Sequence, residues 1–289
     1  VEEATFDSFK GMDIALFAGG SISKDFAPHA VKAGAVVIDN SSAFRMDPEV
    51  PLVVPEVNPQ AILKHKGIIA NPNCSTIIMV MALKPIYDLA KIKRVIVSTY
   101  QAVSGAGKEG IDELDAQVRD HSEGREMTAN ILPSASAEKH YPIAFNLIPQ
   151  IDVFCDNLYT KEEMKMVNET KKIMEDYEMR ITATTIRVPV YRSHSESVNI
   201  ELEKEVDLGA MREALAKFPG VTVQDDPSKQ EYPMPLYTSE KDDVYVGRLR
   251  RDESCEKSYN MWVVGDQIRK GAALNTLQIA ETMIKNGWI

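Results

Sequence analysis

Cys74 is the first residue whose setting suggests chemistry. It stands in Ala70-Asn71-Pro72-Asn73-Cys74-Ser75-Thr76, where a loop gives way to a helical pattern. Asn73 is a good N-cap, which puts Cys74 in the first helical turn, where free N–H groups and the helix dipole favour a thiolate. A thiolate attacks acyl carbons. Cys155 and Cys255 lack such a setting and read as incidental. His194 is the second candidate, in Arg187-Val188-Pro189-Val190-Tyr191-Arg192-Ser193-His194-Ser195-Glu196. A histidine exchanges a proton near neutral pH. An isolated histidine is more often only hydrogen-bonded, and His29, His65, His121 and His140 read that way. Arg187 and Arg192 set His194 apart, because neighbouring arginines imply an anionic ligand. Arg45 follows a predicted strand end, and Lys165 shares a helix face with Glu162. Taken singly, these charges read as solvated. Gln101 precedes Ser104-Gly105-Ala106-Gly107, either a plain turn or a loop that lets a ligand approach the backbone. The sequence contains no H-E-x-x-H, paired C-x-x-C or P-loop, so no metal site is expected.

The elements that must position these residues follow from apolar periodicity. Met12–Ala18, Ala35–Asp39 and Gly67–Ala70 read as short buried strands, with a helix over Lys24–Ala33 between the first two. Strand, helix, strand predicts a parallel α/β sheet, with ligands outside its carboxyl ends. Gly19-Gly20-Ser21, Asn40-Ser41-Ser42 and Asn71-Pro72-Asn73 would lie there. Ser75–Leu89 is helical, with Pro85 expected to kink or shorten it. Lys93–Tyr100, Ile181–Pro189, Val198–Glu205, Val244–Leu249 and Tyr259–Val264 read as strands of a mostly antiparallel sheet. Helices are predicted over Ile111–Asp120, Lys161–Tyr177 (with Met164, Val167, Ile173 and Met174 as its apolar stripe), Leu208–Phe218 and Lys270–Asn286. Ser122–Ala137 reads as a polar surface excursion. The expected fold class is α/β: a truncated Rossmann-like parallel sheet plus an α+β catalytic and dimerisation domain. The expected division is 1–73 and 74–268, with the last helix, 269–289, returning to the first part.

The chain has 289 residues and a net charge of −10, which argues against nucleic acid or an anionic membrane as partner. Its longest apolar run, Ile77–Leu83, is far short of the about 20 residues that span a bilayer. Three dispersed cysteines do not make a disulfide framework, so the cytoplasm is the expected compartment.

Six blocks together resemble the aspartate-semialdehyde dehydrogenase family, in its shorter, Gram-positive-like form. They are D-N-S-S-A-F-R-M at Asp39–Met46, V-P-E-V-N at Val54–Asn58, A-N-P-N-C-S-T at Ala70–Thr76, S-T-Y-Q-A-V-S-G-A-G at Ser98–Gly107, R-V-P-V-Y-R-S-H-S-E at Arg187–Glu196 and G-D-Q-I-R-K-G-A-A-L-N-T at Gly265–Thr276. The resemblance covers essentially the whole chain. It implies NADPH-dependent, reversible reductive dephosphorylation of L-aspartyl 4-phosphate to L-aspartate 4-semialdehyde, a step toward lysine and diaminopimelate, methionine and threonine. It implies Cys74 as nucleophile, His194 as acid/base and Gln101 as the residue orienting the acyl intermediate. Arg187 would bind the substrate α-carboxylate and Glu162 its amino group. Arg45 and Lys165, helped by Asn73, would hold the phosphate. Ala18, Gly19, Gly20, Asn40, Ser104, Gly105 and Asn275 would touch NADP. A homodimer is implied through the central domain.

The family opens with a strand and glycine loop that this sequence does not contain. About fifty further residues are therefore expected upstream, at roughly 30 residues per β-α-β unit. Two other functions compete. One is an N-acetyl-glutamyl-phosphate reductase, which does the same chemistry on a longer acyl phosphate; the S-S-A-F-R block and the Arg187-to-His194 spacing favour the aspartyl enzyme. The other is a truncated, non-catalytic dimer scaffold, which retention of Cys74, His194 and both arginines argues against.

Overall fold

The computed structural model describes residues 2–289. Strands β1 (Ile14–Phe17), β2 (Val36–Asp39) and β3 (Ile68–Ala70) form a parallel sheet in that order. Helix α1 (Ser23–Lys32) crosses from β1 to β2 and buries Ala27 and Ala30 against Ala35 and Val37. Phe17 pairs with Asp39 and Asp39 with Ala70, so all three strands end level. The segments that follow them leave the sheet along one edge, where the sequence places ligand-binding turns.

Helix α2 (Cys74–Leu89) starts directly beyond β3. Every residue from Ile77 to Leu83 is fully buried, which is why this helix reads as apolar all round. It runs through Pro85 to Leu89 rather than stopping there. A proline ring removes a donor and crowds the preceding turn, and the dense packing about this helix holds it together regardless.

Beneath α2 lies a six-stranded sheet in the order β5-β4-β6-β9-β8-β7. Its strands are β4 (Ile92–Gln101), β5 (Arg180–Arg187), β6 (His194–Leu202), β7 (Val221–Val223), β8 (Val244–Arg251) and β9 (Ser258–Gly265). The central pairings are antiparallel, while β4 with β5 and β7 with β8 are parallel. Strand β6 begins four residues before the apolar pattern does and so carries His194 itself. Val95, Val97, Val198, Ile200, Met261 and Val263 alternate onto the covered face and share one core with α2.

Helix α3 (Lys108–Ser122) anchors the excursion after it more firmly than its polar sequence suggests. Glu113 and Gln117 accept backbone N–H groups from Asn130, Ile131, Ile143 and Ala144. Leu132 is fully buried. Helix α4 (Lys161–Ile173) is capped by a reciprocal Thr160–Glu163 pair. Its buried face departs from the expected apolar stripe. Met164 is only half-buried, and Glu162, Glu163 and Glu169 are buried beside Met166, Val167 and Ile173. Carboxylates can be buried there because each finds donors, as the site geometry shows.

Helix α5 (Leu208–Lys217) packs on α2, and the short α6 (Pro235–Thr238) on β9; neither α6 nor β7 is evident from the sequence. A π-helical turn at Arg269–Ala273 leads into α7 (Leu274–Asn286). Ile279, Ala280 and Met283 of α7 pack on Ile38, Val53 and Ile69, so the end of the chain covers the parallel sheet. Among the described residues no helix is long and apolar enough to cross a membrane.

Candidate active site

Asn73 caps α2 as its sequence predicts: its Oδ1 accepts from Thr76 N–H at 3.1 Å. Cys74 is the first helical residue and is half-buried at the wall of a cavity of about 380 Å³. The π-helical turn crosses very close to it. A Cβ at Gly271 would lie 3.0 Å from the Cys74 Cβ, so any larger residue there would crowd the nucleophile. Burial, followed by the negative charge of Glu162, pushes the Cys74 thiol up to about 12. Arg45, Arg187 and the Ser75 N–H act in the opposite direction. The resting thiol is therefore protonated, and the helix N-terminus alone does not make the thiolate expected from the sequence.

Glu162, Lys165 and Glu169 follow the helical repeat along one face of α4. Glu162 Oε1 accepts from Asn73 Nδ2 at 2.9 Å and from Gln101 Nε2 at 3.3 Å. Its Oε2 accepts from Lys165 Nζ at 3.2 Å, and Asp152 takes the same ammonium at 2.9 Å. Burial works against the Lys165 charge, but Glu162 and Asp152 together raise its pKa above the ordinary lysine value. Arg45 donates from Nε to Asn71 O, from Nη2 to Asn40 O and from Nη1 to Glu169. Glu169 and Asp152 were not singled out in the sequence. The i+4 and i+7 spacing of Glu169 from Lys165 and Glu162 was the available signal.

Gln101, Arg187 and His194 come from the ends of β4, β5 and β6. Gln101 pairs with Arg187 across the parallel β4–β5 ladder, and Tyr100 with Ser195 across β4–β6. Arg187 donates from Nη1 to Ala102 O at 2.7 Å, while its buried Nε makes no hydrogen bond. Burial lowers the Arg187 pKa, opposed by Glu162 and Cys74. The Ala102 N–H donates to His194 Nδ1 at 3.1 Å, which places the ring hydrogen on Nε2. Nε2 itself is buried without a partner. Burial, then the neighbouring Arg187 charge, hold His194 well below its usual pKa, so the ring is neutral. A Cβ at Gly105 would stand 2.6 Å from Arg187 Nη1 and 3.3 Å from His194 Nε2. Gly105 thus lets the loop after β4 lie directly on both side chains.

The cavity beside Cys74 is lined by Ala18, Asn40, Arg45, Asn73, Ser104 and Gly105, together with Asn71, Pro72, Gln267, Ile268 and the turn residues Gly271 to Ala273. Gln267, another residue not singled out, donates to Ser104 Oγ and accepts from Ser193 N–H, joining the loops before His194 and after Gln101. Gly19 and Gly20 lie one step outside the lining. Asn275 is fully buried, its Nδ2 bonded to Val53 O and Asn71 Oδ1 and its Oδ1 to Lys270 Nζ, so it supports the wall from behind. Side-chain-free backbone at the exposed Gly105 and at Gly271 in the cavity wall, next to the thiol, suits the close approach of a flat ring. The residues present therefore fit the nicotinamide end of a dinucleotide.

Two protein families match. "Semialdehyde dehydrogenase, NAD binding domain" covers residues 1–65, and "Semialdehyde dehydrogenase, dimerisation domain" covers residues 83–270. Aspartate-semialdehyde dehydrogenase of Aquifex aeolicus is 58% identical over 98% of this chain and 82% of its own. The Bacillus subtilis enzyme of that name is 54% identical over 99% of this chain and 83% of its own. The crystal structure of aspartate semialdehyde dehydrogenase II of Vibrio cholerae in complex with ASA superposes with a TM-score of 0.89 at 47% identity, covering 94% of this chain and 79% of that one. The chain thus spans about four fifths of the length of these relatives, whose names favour the aspartyl enzyme over the acylglutamyl reductase. Its identity to these relatives over nearly its whole length, together with both family matches, shows that the chain belongs to the aspartate-semialdehyde dehydrogenase family.

Proposed function

We propose that this chain reduces L-aspartyl 4-phosphate to L-aspartate 4-semialdehyde, reversibly and with release of phosphate, through a thioester on Cys74. The observation that carries this reading is the position of Cys74 at a helix N-terminus, within the fields of both Arg45 and Arg187. The substrate is an activated acyl group with anionic charge at each end. Arg187 keeps an unspent Nε edge for the α-carboxylate, and Glu162 is the buried carboxylate for the α-amino group. Arg45 and Lys165, with Asn73, hold the phosphate. Sulfur attacks the acyl carbon, the bond to phosphate oxygen breaks, and the thiol proton leaves with the phosphate. Pairing of Glu162 with the substrate ammonium removes one of the causes that hold the thiol protonated.

Gln101 orients the acyl intermediate. A nicotinamide cofactor bound in the cavity would supply the hydride equivalent for reduction of the thioester. The His194 Nε2–H donates to the acyl oxygen, and the ring handles the proton as the thiohemiacetal collapses to aldehyde and thiol. NADP is our choice of cofactor, with Ala18, Gly19, Gly20, Asn40, Ser104 and Gly105 toward it and Asn275 behind them. We assign residues 1–73 with 269–289 to cofactor binding and 74–268 to catalysis and dimerisation. The working form is a cytoplasmic homodimer.

The test is Cys74→Ala, assayed in the semialdehyde-oxidising direction with phosphate and NADP. Turnover is expected to fall by at least about 10⁴-fold while NADP and phosphate still bind by calorimetry. Near-normal turnover would remove Cys74 from the chemistry.

A further inference from the structure

Arg45 has five N–H groups to place. Three are spent: Nε on Asn71 O at 2.9 Å, one Nη2 hydrogen on Asn40 O at 2.9 Å, and one Nη1 hydrogen on Glu169 Oε1 at 3.2 Å. One hydrogen remains on each terminal nitrogen, a pair suited to phosphate oxygens. The two carbonyls come from the loops after β2 and β3. The third acceptor comes from another part of the fold, the middle of α4. Its side chain is 2% exposed, and it is the one carboxylate paired with Arg45 among the described residues.

The same carboxylate makes a second bond. Glu169 Oε2 accepts from the Asn73 backbone N–H at 2.6 Å. Asn73 is the cap of α2 and the residue immediately before Cys74. One rigid side chain therefore holds both the guanidinium expected to carry the phosphate and the backbone that carries the nucleophile. An acyl phosphate demands such a spacing, because the attacked carbon and the phosphorus are separated by a single bridging oxygen. A small error in the distance from sulfur to anion site lengthens the attack geometry.

We infer that Glu169 is a positioning residue of the reaction: it orients Arg45 toward the phosphate and fixes the distance between that site and Cys74. It touches neither substrate nor cofactor. The inference rests on the reading of Arg45 as a phosphate ligand. Burial, joined by the Glu162 charge, raises the Glu169 pKa; Arg45 and the Asn73 N–H act in the opposite direction, each favouring the ionised acceptor that the geometry requires.

Glu169→Gln is nearly isosteric but turns one of its two acceptors into a donor, so either Arg45 or the Asn73 N–H loses its partner. The readout is KM for inorganic phosphate in the semialdehyde-oxidising direction. Glu169→Gln is expected to raise it about tenfold in the native background and less than twofold in an Arg45→Ala background, because the two act as one unit. Glu169→Asp, which keeps the charge but withdraws it by one methylene, is expected to fall between native and Gln. It carries the test should the Gln variant fold poorly. An unchanged phosphate KM in Glu169→Gln, the same factor in both backgrounds, or a native KM in Glu169→Asp overturns the inference. If Arg45→Ala itself leaves the phosphate KM unchanged, the phosphate role of Arg45 fails first, a result distinct from the others.

Discussion

The sulfur of Cys74 is subject to opposed influences. Burial and Glu162 hold it as a thiol near 12, while Arg45, Arg187 and the Ser75 N–H favour the thiolate. A negative charge raises the pKa of a nearby acid, so removing Glu162 must lower that of Cys74. Well below 12 the thiolate fraction rises tenfold for each unit by which the pKa falls. Glu162→Gln is therefore expected to speed alkylation of Cys74 by iodoacetamide at pH 8 to 9 by roughly tenfold. Turnover should fall in the same variant, since the substrate ammonium loses its partner. Mass spectrometry of the Cys74 peptide separates this signal from Cys255, which is exposed. Equal alkylation rates in the two proteins would mean that Glu162 does not govern the thiol. The sequence places Cys74 correctly at a helix start. What it cannot show is the balance of charges there, because Glu162 lies 89 positions from Asn73 and reaches it only through the packing of α4 on α2. Glu196 makes the same point: in sequence it stands before the expected strand at Val198, yet in the fold it lies on β6, fully buried with both carboxylate oxygens unpartnered. Burial holds its carboxyl well above the usual range.

At the scale of elements, the π-helical turn before α7 is the feature that brings backbone against the nucleophile. Lys270 holds it in place. Its side chain is 1% exposed, and Nζ donates to Glu56 Oε2 at 2.5 Å, Gln278 Oε1 at 2.7 Å and Asn275 Oδ1 at 3.0 Å. One ammonium thus ties the turn to α7 and to the segment between β2 and β3. Burial lowers the Lys270 pKa and Glu56 opposes that. Lys270→Met removes the charge and leaves Glu56 without its partner, at a cost of about 3 kcal/mol in stability. Urea unfolding measures it, and adding Glu56→Gln to Lys270→Met should recover part of the loss. Additive losses would mean that the pair is not coupled. This device was not legible beforehand, since K-G-A-A-L-N reads simply as a helix start. Helix α2 and strand β2 were legible, because an unbroken apolar run has few places to go; β1 lies where its apolar run predicts but is not buried, since only Ala15 is covered and Leu16 is exposed. The three-residue β7 was not legible, because so short a strand is set by its neighbour β8 rather than by its own pattern. The glutamate-lined face of α4 was not legible either, because periodicity marks apolar faces and this one is filled by paired carboxylates.

At the scale of the molecule, a small parallel sheet and a large mixed sheet meet at Cys74. A chain of side-chain amides and hydroxyls closes the joint: Asn275 to Asn71, Asn71 to Asn40, and Thr276 to Asn40. The mixed sheet has one face covered by helices. On its other face Tyr100 and Trp262 stand half-buried with ring centroids 5.6 Å apart, beside the smaller Ser98 and Ser197. Aromatic rings set among small polar residues suit a surface that pairs with a second copy, and this face lies within the part matched by the dimerisation family. Ser197 is exposed on β6, which lies between β4 and β9 near the middle of the sheet, opposite Ser98 and Trp262. An arginine is tolerated there while the face remains in water, but it would be buried without a partner charge if two such faces met. Ser197→Arg should therefore leave the far-UV circular dichroism of the subunit little changed, remove the dependence of its melting temperature on protein concentration, and shift sedimentation velocity from the mass of two chains to that of one. The substitution also keeps the catalytic residues chemically intact, since Cys74, Arg187 and His194 lie toward the helix-covered side. Any loss of turnover that is restored by raising protein concentration would report the contribution of pairing to the site. A Ser197→Arg protein that still sediments as two chains would place the interface on a different surface.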